Sequence, residues 1–252
     1  MSPYPSSLKN IVCVAKLNKG DSISRWRKKG IELIMRAQLK KLLEGKGSLA
    51  ENEVKDLLKA YGIRTTEYKV VNKLEDLENL GLKFPVALKV CSRKILHKTD
   101  VDGVRLGIQN MEELKKTFRD FRRRFPSENL LVDQMAEKGV EIIVGLVQDP
   151  TFGLSIMCGI GGVFTELYKD VTFRVVPIDR YDAEQMIEEI KGKKLLEGFR
   201  NIPANKQLVV DLLLKVSKLG QELIKYIDQM DLNPVFVYKD HLCVVDAKLI
   251  IK

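Results

Sequence analysis

Four strand-length apolar runs follow one another between Leu130 and Val176: Leu130 to Met135, Val140 to Val147, Leu154 to Cys158 and Thr172 to Val176. Asp149-Pro150, Gly159-Ile160-Gly161-Gly162 and Pro177 separate them, and turn-forming residues between β-branched runs mark strands. Helical periodicity brackets this block. On the N-terminal side, Asp21 or Ser22 caps a long amphipathic helix through Leu43, and Gly45 and Gly47 end it. Ser48-Leu49-Ala50-Glu51 reads as a capping box opening a helix to Tyr61, with Gly62 at the C-terminal cap. A strand at Glu67 to Val71, a short helix around Leu74 to Leu80 and a buried strand Pro85 to Val90 follow. After a basic loop come a strand Val104 to Ile108 and a helix Glu112 to Phe125, stopped by Pro126. On the C-terminal side stand a helix Asp182 to Lys191, a long helix capped by Asn205, and a hairpin with arms Leu232 to Tyr238 and Leu242 to Ala247. The fold expected is α+β with largely antiparallel sheets, residues 1–47 being an N-terminal helical extension to a domain spanning 48–252.

Composition narrows the function. At 252 residues and 45% hydrophobic content the chain can bury a core without disulfides or a structural metal. No apolar run approaches the ~20 residues that span a bilayer, and the N-terminus has no signal-peptide core, so a cytoplasmic protein without membrane contact is expected. The four cysteines form no CxxC pair, and two histidines cannot make HExxH. P-loop, Rossmann and GxSxG patterns are also absent. A net charge of +9 leaves RNA or a phosphorylated small molecule as partners, but the charges are interleaved and no RNA-binding motif accompanies them.

Two constellations carry chemistry. In Lys89-Val-Cys-Ser-Arg93-Lys94-Ile-Leu-His97-Lys98-Thr99-Asp100 the chain leaves a strand and sets four cations around one histidine. Such a loop suits phosphate, and a neutral imidazole suits nucleophilic attack on phosphorus; the plain alternative is a solvated loop. The second constellation is the closing hairpin. With Lys239-Asp240 as a two-residue turn, Asn233 lies opposite Asp246, and Asp231 points to the same face. Hard oxygen ligands so grouped suit Mg²⁺, which needs one or two carboxylates plus nucleotide phosphates. Otherwise this is a polar hairpin face.

In order along the chain, FPVALKV, KILHKTDVDGV, LLVDQMAEKGVEIIVG, QDPTFG, GIGGVFTELYKDVTFRVVPI, LLEGFR, MDLNPVFVY and VVDAKLII resemble the ATP-grasp β subunits of ADP-forming acyl-CoA synthetases, such as acetate–CoA ligase, relatives of the succinyl-CoA synthetase β chain. The resemblance covers Ser48 to Lys252. It implies two α/β lobes clamping a nucleotide, lobe one at approximately 67–133 and lobe two at approximately 48–66 plus 136–252. It further implies ATP or ADP with Mg²⁺ as cofactors, Lys89 and Lys98 on the phosphates, and Val132, Asp133, Gln134 and Met135 as a hinge near adenine. Glu141 also lies near the nucleotide, Asn233 and Asp246 hold Mg²⁺, and His97 is the transiently phosphorylated histidine. The implied reaction is acyl-CoA + ADP + phosphate ⇌ acid + CoA + ATP. A CoA-binding α subunit, in an α2β2 heterotetramer, supplies the acyl half. The chain departs from the family at Asp102, which stands where a second glycine usually precedes the valine, and at Gln229, where an acidic residue usually opens the metal motif. These departures motivate one alternative, a non-catalytic ATP-binding regulatory subunit; the basic charge motivates another, an RNA-binding protein.

Overall fold

A computed structural model describes residues 43, 47–162, 170–198 and 203–252. The chain divides into two units, Met1–Gly45 and Lys46–Lys252, and the second is described here. The long helix expected up to Leu43 and parts of the GIGGVFTELYKDVTF and LLEGFR segments lie outside the described residues.

Two antiparallel sheets carry the second unit. The smaller has the order β2-β5-β3-β4, with β2 at Tyr68–Val71, β3 at Val86–Cys91, β4 at Val104–Ile108 and β5 at Asn129–Gln134. Its strands alternate by face as period-two geometry requires. Val86, Leu88 and Val90 of β3, with Leu130 and Val132 of β5, join Leu114, Phe118 and Phe121 of α2 (Met111–Arg124) in one apolar core. Asn110 starts α2 by accepting from the Glu113 N–H, and three arginines close it, matching the helix dipole at both ends. The opposite face of β3 and β5 presents Ala87, Lys89, Cys91, Leu131 and Asp133.

Helix α1 (Glu51–Ala60) supplies Ala50 at its N-terminal end to the cluster with Cys91 and Leu131 on this second face. The capping box expected at Ser48 is displaced: Ser48 belongs to the two-residue strand β1 (Gly47–Ser48), and the N-cap is Ala50, whose N–H donates to the Glu53 carboxylate at 2.9 Å. Strand pairing wins at Ser48 because β1 completes the edge of the larger sheet, Gly47 and Ser48 pairing with Ile251 and Ile250.

That larger sheet runs β1-β11-β9-β6-β7-β8, with β10 paired to β9. Its members are β6 (Val140–Asp149), β7 (Gly153–Ile160), β8 (Val171–Val175), β9 (Ile227–Val237), β10 (Leu242–Val244) and β11 (Ala247–Ile251). Two helices, α3 (Arg180–Glu189) and α4 (Lys206–Glu222), pack on it, α4 against β6, β7 and β9. Asn205 caps α4 through the Gln207 N–H, the role expected of it. Ile142, Val144 and Leu146 of β6 are buried, as are Leu212, Leu213, Val216 and Leu219 of α4. The link between α1 and β2 is clasped to β10: Val244 N–H donates to Arg64 C=O at 2.9 Å, and Thr66 N–H to Val244 C=O at 3.2 Å.

Candidate active site

The closing hairpin keeps the predicted register. Leu242 pairs with Val237, Val244 with Val235 and Ala247 with Leu232, and between them Asn233 N–H donates to the Asp246 carbonyl at 3.1 Å. Strand β9 is longer than expected, and the second arm is interrupted at Val245-Asp246 into β10 and β11. Asp231, opposite Lys248, shares the face of Asn233 and Asp246. Asn233 is exposed; Asp231 and Asp246 are half-buried. Burial raises the Asp231 carboxyl above its ordinary pKa, Lys248 opposes this, and Asp246 adds to it. Among the described residues no three or more His, Cys, Asp or Glu side chains gather as a metal group. Two carboxylates and an amide nevertheless fit a hard cation completed by phosphate oxygens, and the mutual repulsion of Asp231 and Asp246 is what a bound cation relieves.

The basic loop is built differently from the cationic cradle its sequence suggested. Lys89 is buried on β3, and its ammonium donates to Glu51 at 2.8 Å and to Asp133 at 2.7 Å. Lys98, also buried, donates to Glu51 and, at 2.9 Å, to Asp246. Arg93 lies along Glu53, its Nε donating to Oε2 at 2.9 Å, and Lys94 is exposed. Three of the four cations are therefore matched by carboxylates. His97 is exposed at the loop surface and makes no side-chain hydrogen bond among the described residues; only its carbonyl is engaged, by Asp100 N–H at 3.2 Å.

Glu51 and Lys55 are the residues that sequence reasoning missed. Lys55 is completely buried, donating to Asp133 at 2.7 Å and Thr66 at 2.8 Å and lying 3.0 Å from Glu51. Three ammonium groups (Lys55, Lys89, Lys98) thus meet three carboxylates (Glu51, Asp133, Asp246). Burial pushes the Glu51 carboxyl up, but Lys89, Lys55 and Lys98 together hold it well below the usual carboxylate range. Burial likewise lowers Lys89, yet Glu51 and Asp133 outweigh it and raise its pKa. A signal was present: Glu51, Val54, Lys55 and Leu58 fall on one helical stripe, and charges on a buried stripe require partners.

The hinge residues divide. Val132 points into the core beneath the smaller sheet, so only its backbone can serve the hinge near adenine that the resemblance implied. Asp133 sits in the ion-pair cluster, and its Oδ1 is buried without a partner. Gln134 accepts from Lys83 N–H at 3.0 Å, and exposed Met135 lies with its sulfur 3.1 Å from Gly107 N. Glu141, half-buried on β6, has Gly161 directly over it. A Cβ on Gly161 would stand 2.5 Å from the Glu141 Cγ, so only glycine allows this approach.

Asp102 has φ of 55°, the left-handed region that glycine occupies freely and aspartate tolerates better than most. Its carboxylate is exposed and faces Arg124 at 3.9 Å, and the same guanidinium donates to the Val101 and Asp102 carbonyls at 2.9 and 3.0 Å. The extra negative charge thus lies against α2.

The fold and this site define an ATP-grasp protein: the ATP-grasp domain family matches residues 40–251. The chain is 44% identical over 225 residues to the acetate–CoA ligase [ADP-forming] II subunit beta of Pyrococcus furiosus, covering 84% of this chain and 94% of that one. An acetyl-coenzyme A synthetase 1 of Candidatus Korarchaeum cryptofilum, solved with coenzyme A and Ca-AMPCP, superposes with a TM-score of 0.78 at 39% identity, covering 86% of this chain and 99% of that one. The same enzyme solved with coenzyme A and Mg-AMPPCP, its phosphohistidine segment pointing towards the nucleotide binding site, gives 0.73 at 37% identity over 88% of this chain and 100% of that one. This chain belongs to the family of ADP-forming acetate–CoA ligase β subunits. Among the described residues no helix is long and apolar enough to cross a membrane.

Proposed function

We propose that this chain is the nucleotide half of an ADP-forming acyl-CoA ligase, interconverting acyl-CoA + ADP + phosphate and acid + CoA + ATP together with a partner subunit. The observation that carries the reading is the meeting of Lys98 with Asp246 at 2.9 Å, in one cluster with Lys89 on Asp133, next in the chain to an exposed His97 that makes no side-chain hydrogen bond among the described residues. The two sheets are the lobes that clamp the nucleotide, with adenine against Gln134 and Met135 and the phosphates towards Lys89 and Lys98. Asp133 and Glu141 line the approach. Asn233, Asp246 and Asp231 hold Mg²⁺, which offsets the charge on the phosphate oxygens.

A nitrogen of His97 attacks the phosphorus of the partner's phosphohistidine, forming a P–N bond as the donor's P–N bond breaks. A β-phosphate oxygen of ADP then attacks the same phosphorus and His97 leaves, so the phosphoryl group passes to ATP. Lys89 and Lys98 neutralise charge along this in-line path. The α partner binds CoA and forms the acyl phosphate, the assembly is an α2β2 heterotetramer, and the site of action is the cytoplasm. RNA binding is not favoured, because relatives that match this chain over most of its length are ADP-forming acetate–CoA ligase subunits.

Incubation of the full chain with Mg²⁺ and γ-labelled ATP tests the reading. Label stable to base and labile to acid is expected in the wild type and in His241→Asn, and absent in His97→Asn. No such label, even with the partner subunit present, would leave a non-catalytic nucleotide-binding role.

A further inference from the structure

Glu51 stands at the centre of the ion-pair cluster. Its Oε1 accepts from Lys89 at 2.8 Å and lies 3.0 Å from Lys55, while Oε2 accepts from Lys98. It thereby ties the first turn of α1 to β3 and to the loop that follows. Lys98 has two carboxylate partners, and they differ in burial: the Glu51 side chain is 3% exposed, that of Asp246 25%. An entering anion can replace Asp246, which water already reaches. It cannot replace Glu51, whose carboxylate would then be charged in a dry interior. Lys55 blocks any retreat, being itself tied to Asp133 and Thr66. A cavity of about 20 Å³ is bounded by Glu51, Ser92, Leu96, Lys98 and Lys248.

We propose that Glu51 is a positioning residue for phosphoryl transfer: it holds Lys89 and Lys98 at a fixed separation while Lys98 exchanges Asp246 for a phosphate oxygen. This rests on the reading of Lys89 and Lys98 as phosphate ligands. Glu51 touches no reacting atom. Its effect lies in where the two ammonium groups stand when phosphorus moves between nitrogen and oxygen.

The test uses the full chain, with Mg·ADP and γ-labelled Mg·ATP as probes. Glu51→Asp keeps the charge and retracts the carboxylate by one methylene; Glu51→Gln keeps the reach and loses the charge. Glu51→Asp is expected to bind Mg·ADP within about threefold of wild type by calorimetry while label transfer into the protein slows about 100-fold, the loss that a misplacement on the order of 1 Å produces. Transfer in Glu51→Asp within about threefold of wild type would overturn the proposal. So would an equal fall in affinity and transfer, which would make Glu51 a binding contact, or loss of a cooperative melt in both variants, which would make it a folding residue. Lys98→Ala separates the two readings. Unchanged affinity and transfer there overturn the phosphate reading, whereas their loss there with normal transfer in Glu51→Asp overturns only the role of Glu51.

Discussion

Lys98 and His97 are neighbours in the chain and opposites in environment. Lys98 is 7% exposed and held by two carboxylates, one from α1 and one from the hairpin. His97 faces solvent with no side-chain partner among the described residues. The floor of the site is a set of charges that neutralise one another, so its geometry is stiff and each member depends on the others. The residue above it is free to meet a group arriving from outside. Exposure and rigidity are thus divided between adjacent positions.

The comparison breaks most decisively at Lys55. Replacing this fully buried lysine by Met leaves Glu51 and Asp133 under-compensated, and a loss of about 3–5 kcal/mol in urea unfolding is expected. His97→Asn should change stability by less than about 0.5 kcal/mol in the same measurement. Comparable losses in the two would mean that the loop is as fixed as the floor.

A smaller effect sharpens the electrostatic side. Glu51 is held well below its ordinary value of 4.5, so its stabilisation is complete above that pH and is lost as pH falls through the lower folded value. Lys89 is raised, so its contribution is complete below 10.5 and is lost only as pH rises through the folded value. The stability gap between wild type and Glu51→Gln, about 2 kcal/mol for a hydrogen-bonded charged group, should therefore be constant near neutral pH and close in acid below 4.5. Urea midpoints against pH measure it, and a gap that persists undiminished in acid would remove the charge argument.

The smallest effect belongs to the loop. Asp102→Gly relieves a left-handed residue but adds freedom to the unfolded chain, so the net change should stay within about 1 kcal/mol. Thermal melts and label transfer close to wild type would place Asp102 outside the chemistry, whereas a large gain in transfer would show that its charge does obstruct phosphate.

Most elements were legible because period and punctuation agree: the strands from Val140 to Val175 and the α4 cap at Asn205 are local signals that tertiary contacts reinforce. The pairing of Asn233 with Asp246 was legible for a similar reason, since a two-residue turn fixes what lies opposite what. The partners of Lys89 and Lys98 were not. Glu51 lies 38 and 47 residues before them, and nothing local distinguishes a capping carboxylate from one that faces three ammonium groups. Ser48 was misread for the complementary reason: a good cap signal was overridden by a strand contact with the far end of the chain.

Pairing along the closing hairpin proceeds without a slip from Leu242 against Val237 to Ile250 against Gln229, straight across the break at Val245-Asp246. The register that the turn sets at the tip is thus held along both arms, past the point where Asn233 and Asp246 meet. With the arms paired on both sides of that point, the Lys239-Asp240 tip is a spare end: an epitope or a fluorophore spliced there would lengthen a surface loop at little entropic cost and leave the Asn233–Asp246 pair in place.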